Sequence, residues 1–343
     1  MKTFFGWIAA AALLLSGCQT PSALPTPFPS ASPTALPTHT PSQPATAAPT
    51  LIAPTATATP PILAERVLVI SVDGLRADVV DQFQMPNTYA LMQSGTYAIN
   101  ASTTFPSATL PSHASMLTGM CPDKHGVDWN DYIPENGFAA SPSIFEIAHN
   151  AGLWTVMVVG KEKLRQITMP ENTDVYAYVN DRDSVVAERA VSLMPEGFDL
   201  MFVHLPLVDG LGHAYGWLSP NYLVGTFRAD EAIGMILAGL DEANLREGTL
   251  IIVTADHGGH DSTHGSRLPE DMQIPWVITG ASSKLALNDV EAYTRVTRKI
   301  STVDTAATIA YALNLSIPEI WDGIPVYESF GEIPPARVEL PCH

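Results

Sequence analysis

Residues 66–74 read Arg-Val-Leu-Val-Ile-Ser-Val-Asp-Gly, an apolar run that ends in a carboxylate and a glycine. A short run rich in Val and Ile predicts a buried strand, and Asp73-Gly74 predicts the turn that follows it. A similar run, Thr249–Thr254, leads into Ala255-Asp256-His257-Gly258-Gly259. Because ligand sites form at the carboxyl ends of strands in open α/β sheets, these two stretches predict such a sheet with a functional edge.

Apolar runs and helical patterns alternate along the rest of the chain. Further strands are predicted at Trp154–Val159, Asp199–Leu205 and Ile274–Ile278, and helices at Ser143–Ala151, Asp183–Met194, Asn221–Leu245 and Thr302–Leu313. This alternation is typical of a layered α/β domain. Residues 64–343 are long enough for one large domain, and no internal repeat or second linker divides them.

The N-terminus has the pattern of a secretory signal. Lys2 precedes an apolar run from Phe4 to Leu15 that is too short to span a bilayer, and Ser16-Gly17-Cys18 follows. This sequence resembles the bacterial lipobox, although an ordinary signal peptide with an incidental cysteine is the alternative. We therefore expect a signal peptide at residues 1–17, a lipid on Cys18, and an extracytoplasmic protein anchored to the bacterial membrane or envelope.

The segment at residues 18–63 is expected to be a disordered linker. After Cys18 it contains no Asp, Glu, Lys or Arg, and its twelve prolines lie among Thr, Ser and Ala. Such a composition buries too little apolar surface to offset the entropy of the chain. No other stretch of the sequence is long and apolar enough to cross a membrane.

Charge and cysteine content narrow the functional classes. The formal net charge of −18 argues against a nucleic-acid-binding surface, and a site for an anionic substrate would need local positive charge. In an oxidising compartment, Cys121 and Cys342 could form a disulfide that ties the C-terminus to the domain. Two unpaired thiols are the alternative, and we predict the bridge.

Carboxylates and imidazoles follow several of the predicted strands. They are Asp73, Asp209, His213, Asp256, His257 and His264. Oxygen and nitrogen donors of this kind bind Zn²⁺, and the intervening glycines are expected to let the backbone turn so that neighbouring ligands face one ion. Each residue alone is more often a helix cap or a structural side chain, but their joint occurrence at strand ends predicts a metal site.

A hydroxyl nucleophile is predicted in the segment that begins Thr109-Leu-Pro-Ser-His113. A threonine hydroxyl is inert at neutral pH unless a base or a metal lowers its pKa. A metal held by Asp73, Asp256 and His257 could activate Thr109 in this way.

In this order, the motifs resemble the alkaline phosphatase superfamily, in particular its nucleotide pyrophosphatase/phosphodiesterase branch. The resemblance covers residues 64–330 and implies a three-layer α/β/α sandwich with a largely parallel central sheet. The motifs that carry it are the strand ending at Asp73-Gly74, Thr109-x-Pro-Ser-His113 with Thr118-Gly119, Pro122 and His125-Gly126, Asp209-x-x-Gly-His213, Thr254-Ala-Asp256-His257-Gly258-Gly259, Asp304, and Pro318 with Asp322-Gly323.

The resemblance also implies two Zn²⁺ ions per chain and a covalent phosphothreonine intermediate on Thr109. Asn130 matches a position whose side-chain amide contacts a phosphoryl oxygen, and His113 and His125 match histidines that support the loop. One zinc would be bound by Asp73, Thr109, Asp256 and His257, and the other by Asp209, His213 and His264.

Two positions have competitors. Thr103 and Thr104 precede a near-copy of the nucleophile motif, but only Thr109 has the accompanying residues at the family spacing. His260 competes with His264 for the last ligand position. His264 is favoured because Gly265 and a short approach to the Ile274–Ile278 strand follow it, as in the family.

The resemblance implies a zinc-dependent phosphodiesterase or nucleotide pyrophosphatase acting on a small phosphate ester. A sulfatase would have an Arg shortly after the nucleophile, and a classical alkaline phosphatase would use a serine. Lys161 and Lys163 are candidates for substrate binding, because some related monoesterases carry a Lys-x-Arg pair at a comparable place, although solvated surface lysines are slightly favoured. Monoester hydrolysis and a non-catalytic metal- or phosphate-binding lipoprotein are the alternatives.

Overall fold

The computed structural model describes residues 63–280, 294–337 and 339–342. The predicted signal peptide, Cys18 and the linker up to residue 62 lie outside these ranges, so they stay predictions. Among the described residues, no helix has the length and apolar character needed to cross a bilayer.

Within the described ranges, eight strands form one sheet in the order β4-β3-β5-β1-β6-β7-β2-β8. They are β1 (Arg66–Val72), β2 (Thr96–Ser102), β3 (Thr155–Val159), β4 (Val175–Tyr178), β5 (Leu200–Leu205), β6 (Thr249–Thr254), β7 (Gln273–Gly280) and β8 (Thr294–Arg295). Only β7 runs antiparallel to its neighbours in this sheet. The central strands β1, β5 and β6 are almost wholly buried, as in a parallel sheet covered by helices on both faces.

The helices form two layers around this sheet. Those described are α1 (Pro86–Gln93), α2 (Thr109–Thr118), α3 (Pro122–His125), α4 (Ile144–Asn150), α5 (Asp183–Leu193), α6 (Leu207–Tyr215), α7 (Pro220–Glu242), α8 (Pro269–Met272) and α9 (Asp304–Ala312). In one layer α7 packs against α1, α5 and α6, and in the other α2, α4 and α9 pack together. The arrangement confirms the predicted three-layer α/β/α sandwich.

The predicted strands and helices all occur, with β1 and β6 at the predicted residues. Among the elements described above, three strands (β2, β4 and β8) and five helices (α1, α2, α3, α6 and α8) were not predicted. Strand β4 is only four residues long and lies at the sheet edge, and β2 contains polar residues and has an irregular register between Ala98 and Ala101, so neither presents a long apolar run. The helix α6 was missed because its glycines suggested a turn.

The site is positioned by the carboxyl ends of four parallel strands. In the register of the sheet, Val72 of β1 lies beside Leu205 of β5, and Val159 of β3 lies beside His204 of β5. Strand β6 ends beside β1, where Thr254 pairs with Ser71. The segments that follow β1, β3, β5 and β6 therefore emerge at one edge, as expected for an open α/β sheet.

A disulfide joins Cys121 to Cys342, with 5.2 Å between their Cα atoms, and confirms the predicted bridge. It attaches the C-terminal segment to the loop before α3. The backbone N–H of Phe105 also donates to the carbonyl of Cys342. The C-terminus is thus tied to the loop that leads toward Thr109.

Replacing both Cys121 and Cys342 with Ser should lower the free energy of unfolding by about 2–5 kcal/mol, because the bridge restricts an unfolded loop that spans 221 residues. Chemical denaturation of the full-length protein, with the reduced wild type as control, measures the difference. An unchanged midpoint in the double variant would contradict this expectation.

Candidate active site

Two overlapping groups of Asp and His lie at this edge of the sheet. Asp209, His213 and His264 offer ligand atoms within 4.8 Å of one another, and so do Asp73, Asp209 and His257. Together the groups contain five of the six carboxylates and imidazoles that the sequence predicted, and Asp256 lies beside them. A third group contains Cys121 and Cys342, whose sulfur atoms are consumed by the disulfide.

The first group is organised by helix α6, not by the sharp turn that its glycines suggested. Asp209 and His213 lie one helical turn apart, with 3.4 Å between Asp209 Oδ1 and His213 Nε2. His264 reaches the same carboxylate oxygen from the loop after β6, at 3.6 Å from its Nε2. The expectation that glycines bend this segment was wrong, because a helix places i and i+4 side chains on one face.

Gly212 of α6 and Gly259 after β6 are instead required for close approach to Trp217. A Cβ added at Gly212 would lie 2.7 Å from the Trp217 ring, and one at Gly259 would lie 2.2 Å from it. The Trp217 indole packs against the His213 ring with centroids 5.2 Å apart, and its Nε1 donates to the carbonyl of Gly74. This tryptophan therefore links α6 to the turn after β1.

The second set surrounds Asp73 and Asp256. Asp256 Oδ1 accepts hydrogen bonds from the backbone N–H groups of Gly74 and His257, at 3.0 and 2.9 Å. Its other oxygen, Oδ2, lies 3.3 Å from His257 Nε2. Asp73 Oδ1 is 3.5 Å from both His257 Nε2 and Thr109 Oγ1. These are the four side chains assigned to one zinc by the resemblance.

The ring orientations of the histidines favour metal binding. The Nδ1–H groups of His213, His257 and His264 donate to backbone carbonyls at 3.0, 2.8 and 2.8 Å. Each ring therefore presents its Nε2 lone pair toward the carboxylates. Backbone hydrogen bonds of this kind fix the tautomer of metal-binding histidines.

Three atoms in this cluster are buried without a hydrogen-bond partner among the described residues. They are Asp209 Oδ1, Asp256 Oδ2 and His257 Nε2. Buried polar atoms are normally satisfied, so neighbouring atoms without hydrogen-bond partners are suited to bind a cation. The donor set of carboxylate oxygens, imidazole nitrogens and a hydroxyl fits Zn²⁺.

The electrostatics of the cluster support the same conclusion. Burial, followed by the charge of Asp73, raises the pKa of Asp256 well above its usual value, and a cation beside this carboxylate would favour its ionised form. Burial, followed by repulsion from His257, lowers the pKa of His264 to about 4, and its imidazole is therefore neutral and able to coordinate.

Thr109 is the first residue of α2 and is almost completely buried. Its Oγ1 lies 3.5 Å from Asp73 Oδ1 and 3.4 Å from Lys161 Nζ, and its carbonyl accepts a hydrogen bond from His113 Nδ1 at 2.7 Å. The partial positive charge of the helix N-terminus also favours a developing anion at this hydroxyl. The structure therefore brings the predicted nucleophile into the cluster.

The competing threonines have other partners. Thr103 and Thr104 donate to the hydroxyls of Ser112 and Ser115 in α2, at 3.0 and 3.2 Å. His260 likewise pairs with Asp271, with 2.7 Å between Nδ1 and Oδ1. The geometry thus places Thr109 and His264, and none of their competitors, among the cluster side chains described above.

The preference for solvated surface lysines was wrong. Lys161 Nζ lies 2.7 Å from Asp73 Oδ2 and 2.6 Å from Asp209 Oδ2, so its ammonium bridges the two carboxylates. Burial alone would lower the pKa of Lys161, but the charges of Asp73 and Asp209 outweigh burial and raise it. Burial, followed by repulsion from Lys161, lowers the pKa of Lys163.

Asn130 lies beside the N-terminus of α2, next to the nucleophile. Its Oδ1 accepts from the backbone N–H of Leu110 at 2.9 Å and from Lys163 Nζ at 3.2 Å. Because the oxygen is engaged, the amide nitrogen is the end of the side chain that can donate to a phosphoryl oxygen. The buried Gln166 supports this loop by bonding the N–H and the carbonyl of Ile133.

The predicted supporting residues have structural partners. His125 Nε2 contacts Ser115 Oγ at 2.9 Å, and its Nδ1 accepts from the N–H of Val127. His113 joins Ser71 to Thr109, as its Nε2 lies 2.8 Å from Ser71 Oγ. Asp304 is bound by two nitrogen atoms of Arg337, which ties the C-terminal segment to α9.

Sequence reasoning missed His204. It lies in β5 with its Nε2 2.8 Å from Asp73 Oδ2, and both side chains are fully buried. A detectable signal existed, because His204 is the one polar residue in the run Leu-Met-Phe-Val-His-Leu of a strand predicted to be buried. A buried histidine needs a partner, and this one lies near the carboxyl end of its strand.

Comparisons with known proteins agree with this geometry. Residues 67–140 and 159–271 match the family of type I phosphodiesterases/nucleotide pyrophosphatases. An uncharacterized pyrophosphatase/phosphodiesterase of Schizosaccharomyces pombe is 26% identical over 224 residues, which are 57% of this chain and 45% of that protein. Human ectonucleotide pyrophosphatase/phosphodiesterase family member 1 is 26% identical over 266 residues, which are 69% of this chain and 28% of that protein.

The fold is shared with solved structures of low sequence identity. Murine ectonucleotide pyrophosphatase/phosphodiesterase 5, solved in an inactive form with AMP, has a TM-score of 0.62 at 15% identity, covering 77% of this chain and 98% of that one. A phosphonate monoester hydrolase from Silicibacter pomeroyi has a TM-score of 0.58 at 17% identity, covering 79% and 77%.

The chain spans less than half the length of the two curated relatives described above. The family match nevertheless covers the strand ends, the nucleophile helix and the loop that carries His264. The chain therefore belongs to the type I phosphodiesterase/nucleotide pyrophosphatase family.

Proposed function

We propose that this protein is a phosphoester hydrolase that uses Thr109 as a covalent nucleophile beside two bound Zn²⁺ ions. The observation that supports this most directly is the position of the Thr109 hydroxyl. It lies at a helix N-terminus, between Asp73 and Lys161, next to carboxylate and imidazole atoms without hydrogen-bond partners. A module that only binds metal or phosphate would not need a hydroxyl at this place.

The proposed reaction has two displacement steps at phosphorus. The Thr109 oxygen bonds to phosphorus as the bond to the leaving oxygen breaks, and the proton of the Thr109 hydroxyl ends on the departing alcohol. Water then cleaves the phosphothreonine and restores the hydroxyl. Lys161, 3.4 Å from Thr109 Oγ1, can stabilise the alkoxide, and the Asn130 amide can donate to a phosphoryl oxygen.

When bound, the two zinc ions would lower the pKa of the nucleophile and neutralise charge on the phosphoryl group. Asp73, Thr109, Asp256 and His257 would hold one ion, and Asp209, His213 and His264 would hold the other. Cations concentrated at the strand ends would also offset the net charge of −18 for an anionic substrate.

The substrates that we propose are phosphodiesters or nucleotide pyrophosphates, by analogy with the names of the relatives. Phosphate monoesters are the second candidate. Lys161 contacts the Thr109 hydroxyl and Lys163 contacts Asn130, and two lysines suit the extra negative charge of a monoester. Faster turnover of p-nitrophenyl phosphate than of bis-p-nitrophenyl phosphate would make monoesters the preferred class.

Metal content and hydrolysis of bis-p-nitrophenyl phosphate by the purified full-length protein test the proposal. We expect about two zinc ions per chain, loss of activity on chelation, and recovery when zinc is added back. Bound zinc without turnover of either ester would support a binding role instead. A protein that binds no metal would contradict the proposal.

We also propose that Cys18 carries a lipid that holds the enzyme on the outer side of the membrane. The Cys121–Cys342 disulfide supports an oxidising compartment, where such bridges form and persist. Replacing Cys18 with Ser should move the protein from the membrane fraction to the soluble fraction and remove its labelling by a fatty acid analogue. Continued labelling of the variant would exclude Cys18 as the lipidation site.

A further inference from the structure

The imidazole of His204 is held on both sides inside the sheet. The backbone N–H of Gly160, which follows β3, is shared between Nδ1 and the carbonyl of His204, each 3.2 Å away. With Nδ1 acting as an acceptor, the ring hydrogen lies on Nε2, which donates to Asp73 Oδ2 at 2.8 Å. Both side chains have no exposed surface, so water does not compete for this bond.

The consequence of this bond lies at the other oxygen of Asp73. His204 and Lys161 both contact Oδ2, at 2.8 and 2.7 Å. The remaining oxygen, Oδ1, is therefore the one directed to Thr109 Oγ1 and His257 Nε2, each 3.5 Å away. Turning the carboxylate about its Cβ–Cγ bond would break the contacts of Oδ2 with both donors.

The two donors differ in how firmly they are held. Lys161 has a flexible side chain that is 22% exposed and also bonds Asp209, so it can follow movements of either carboxylate or of a substrate. His204 has a rigid ring whose backbone belongs to β5, paired on both sides with β1 and β3. The histidine is thus the donor that can set the orientation of Asp73 before a ligand binds.

We infer that His204 is a positioning residue that orients the Asp73 carboxylate toward a bound metal and, through it, toward Thr109. The inference rests on the proposed function, since it assumes that Asp73 binds metal. His204 would act through a metal ligand and not on the metal itself. Only one of the two proposed metal positions should be affected, because His204 contacts Asp73 and does not contact Asp209.

The test is zinc affinity in the full-length protein, measured by competition with a chromogenic chelator. The variants are His204→Leu, which removes the donor, and His204→Gln, whose amide can keep it. His125→Leu is the matched control, because His125 is also buried but bonds Ser115 and Val127. Thermal denaturation reports the stability of each variant separately from its affinity.

We expect His204→Leu to lower the affinity for one of the two zinc ions by roughly 10–100-fold and to leave the affinity for the other within about threefold of the wild type. His204→Gln should recover most of the affinity, and His125→Leu should alter stability without altering zinc binding. The inference would be overturned if His204→Leu bound both zinc ions with wild-type affinity, or if it lost zinc affinity equally at both positions. A wild-type protein without zinc would instead overturn the proposed function and this inference together.

If His204→Leu does not fold, the tautomer of the His204 ring in the wild-type protein tests the inference instead. Nitrogen-15 NMR of the histidine side chains, with His204 assigned by its loss in His204→Gln, should show a protonated Nε2 and an unprotonated Nδ1. A ring protonated on Nδ1 alone could not donate to Asp73 and would overturn the inference.

Discussion

Replacing Thr109 with Ala is expected to lower kcat/KM by on the order of 10⁴-fold, while zinc binding stays near two ions per chain. The substitution removes the oxygen that lies 3.5 Å from Asp73 Oδ1 and 3.4 Å from Lys161 Nζ. Water would then have to attack phosphorus without the positioning that the N-terminus of α2 provides. Steady-state hydrolysis and metal analysis of the same preparation measure both quantities.

Thr104→Ala is the matched control for this change. Thr104 is also buried and lies in the near-copy of the motif, but its hydroxyl bonds Ser115 in the body of the domain. We expect its activity to remain within about threefold of the wild type, at a cost of about 1 kcal/mol in stability. Wild-type activity in Thr109→Ala would refute the covalent mechanism. A loss of activity in Thr104→Ala alone would show that Thr104, and not Thr109, is the nucleophile.

The second large effect is expected for His264→Ala, with a loss of activity on the order of 100-fold or more and weaker binding of one zinc ion. His264 Nε2 lies 3.6 Å from Asp209 Oδ1, a buried oxygen without a hydrogen-bond partner. Its Nδ1 is held by the carbonyl of Ser107, two residues before Thr109. Removing the ring therefore affects a metal ligand and the support of the nucleophile loop.

His260→Ala provides the comparison, because both histidines belong to the same loop. His260 is partly exposed, and its pairing with Asp271 raises the pKa of the imidazole. We expect its loss to change activity by no more than about threefold, since the His260 ring pairs with Asp271 and with none of the proposed metal ligands. Equal losses in the two variants would indicate that the loop, and not the His264 ring, is required.

Much of the fold could be predicted from short windows of sequence. Strands β1 and β6 are continuous apolar runs, and their lengths and end points follow from the residues themselves. The helix α7 follows the longest helical periodicity in the sequence. Where the local pattern was weak or misleading, the prediction failed: β4 is a half-exposed edge strand, and the glycines of α6 concealed a helix.

The predicted site residues were recognised by type, order and spacing, which are properties of the chain alone. The structure adds which atom of each residue is used. Asp256 Oδ1 is occupied by two backbone N–H groups, so Oδ2 is the oxygen that remains for a metal. This distinction depends on Gly74, which is 182 residues away in sequence.

The sequence by itself determined the layered α/β class, the strand-end motifs and the nucleophile segment, because these depend on local periodicity and on residue order. Only the tertiary structure decided that Lys161 bridges two carboxylates and that His204 holds Asp73 across 131 positions. Lone lysines and histidines have no periodic signature, since their meaning depends on distant partners. These partners are required because the side chains are buried, and a charge that is shielded from water must be paired with another charged or hydrogen-bonding group.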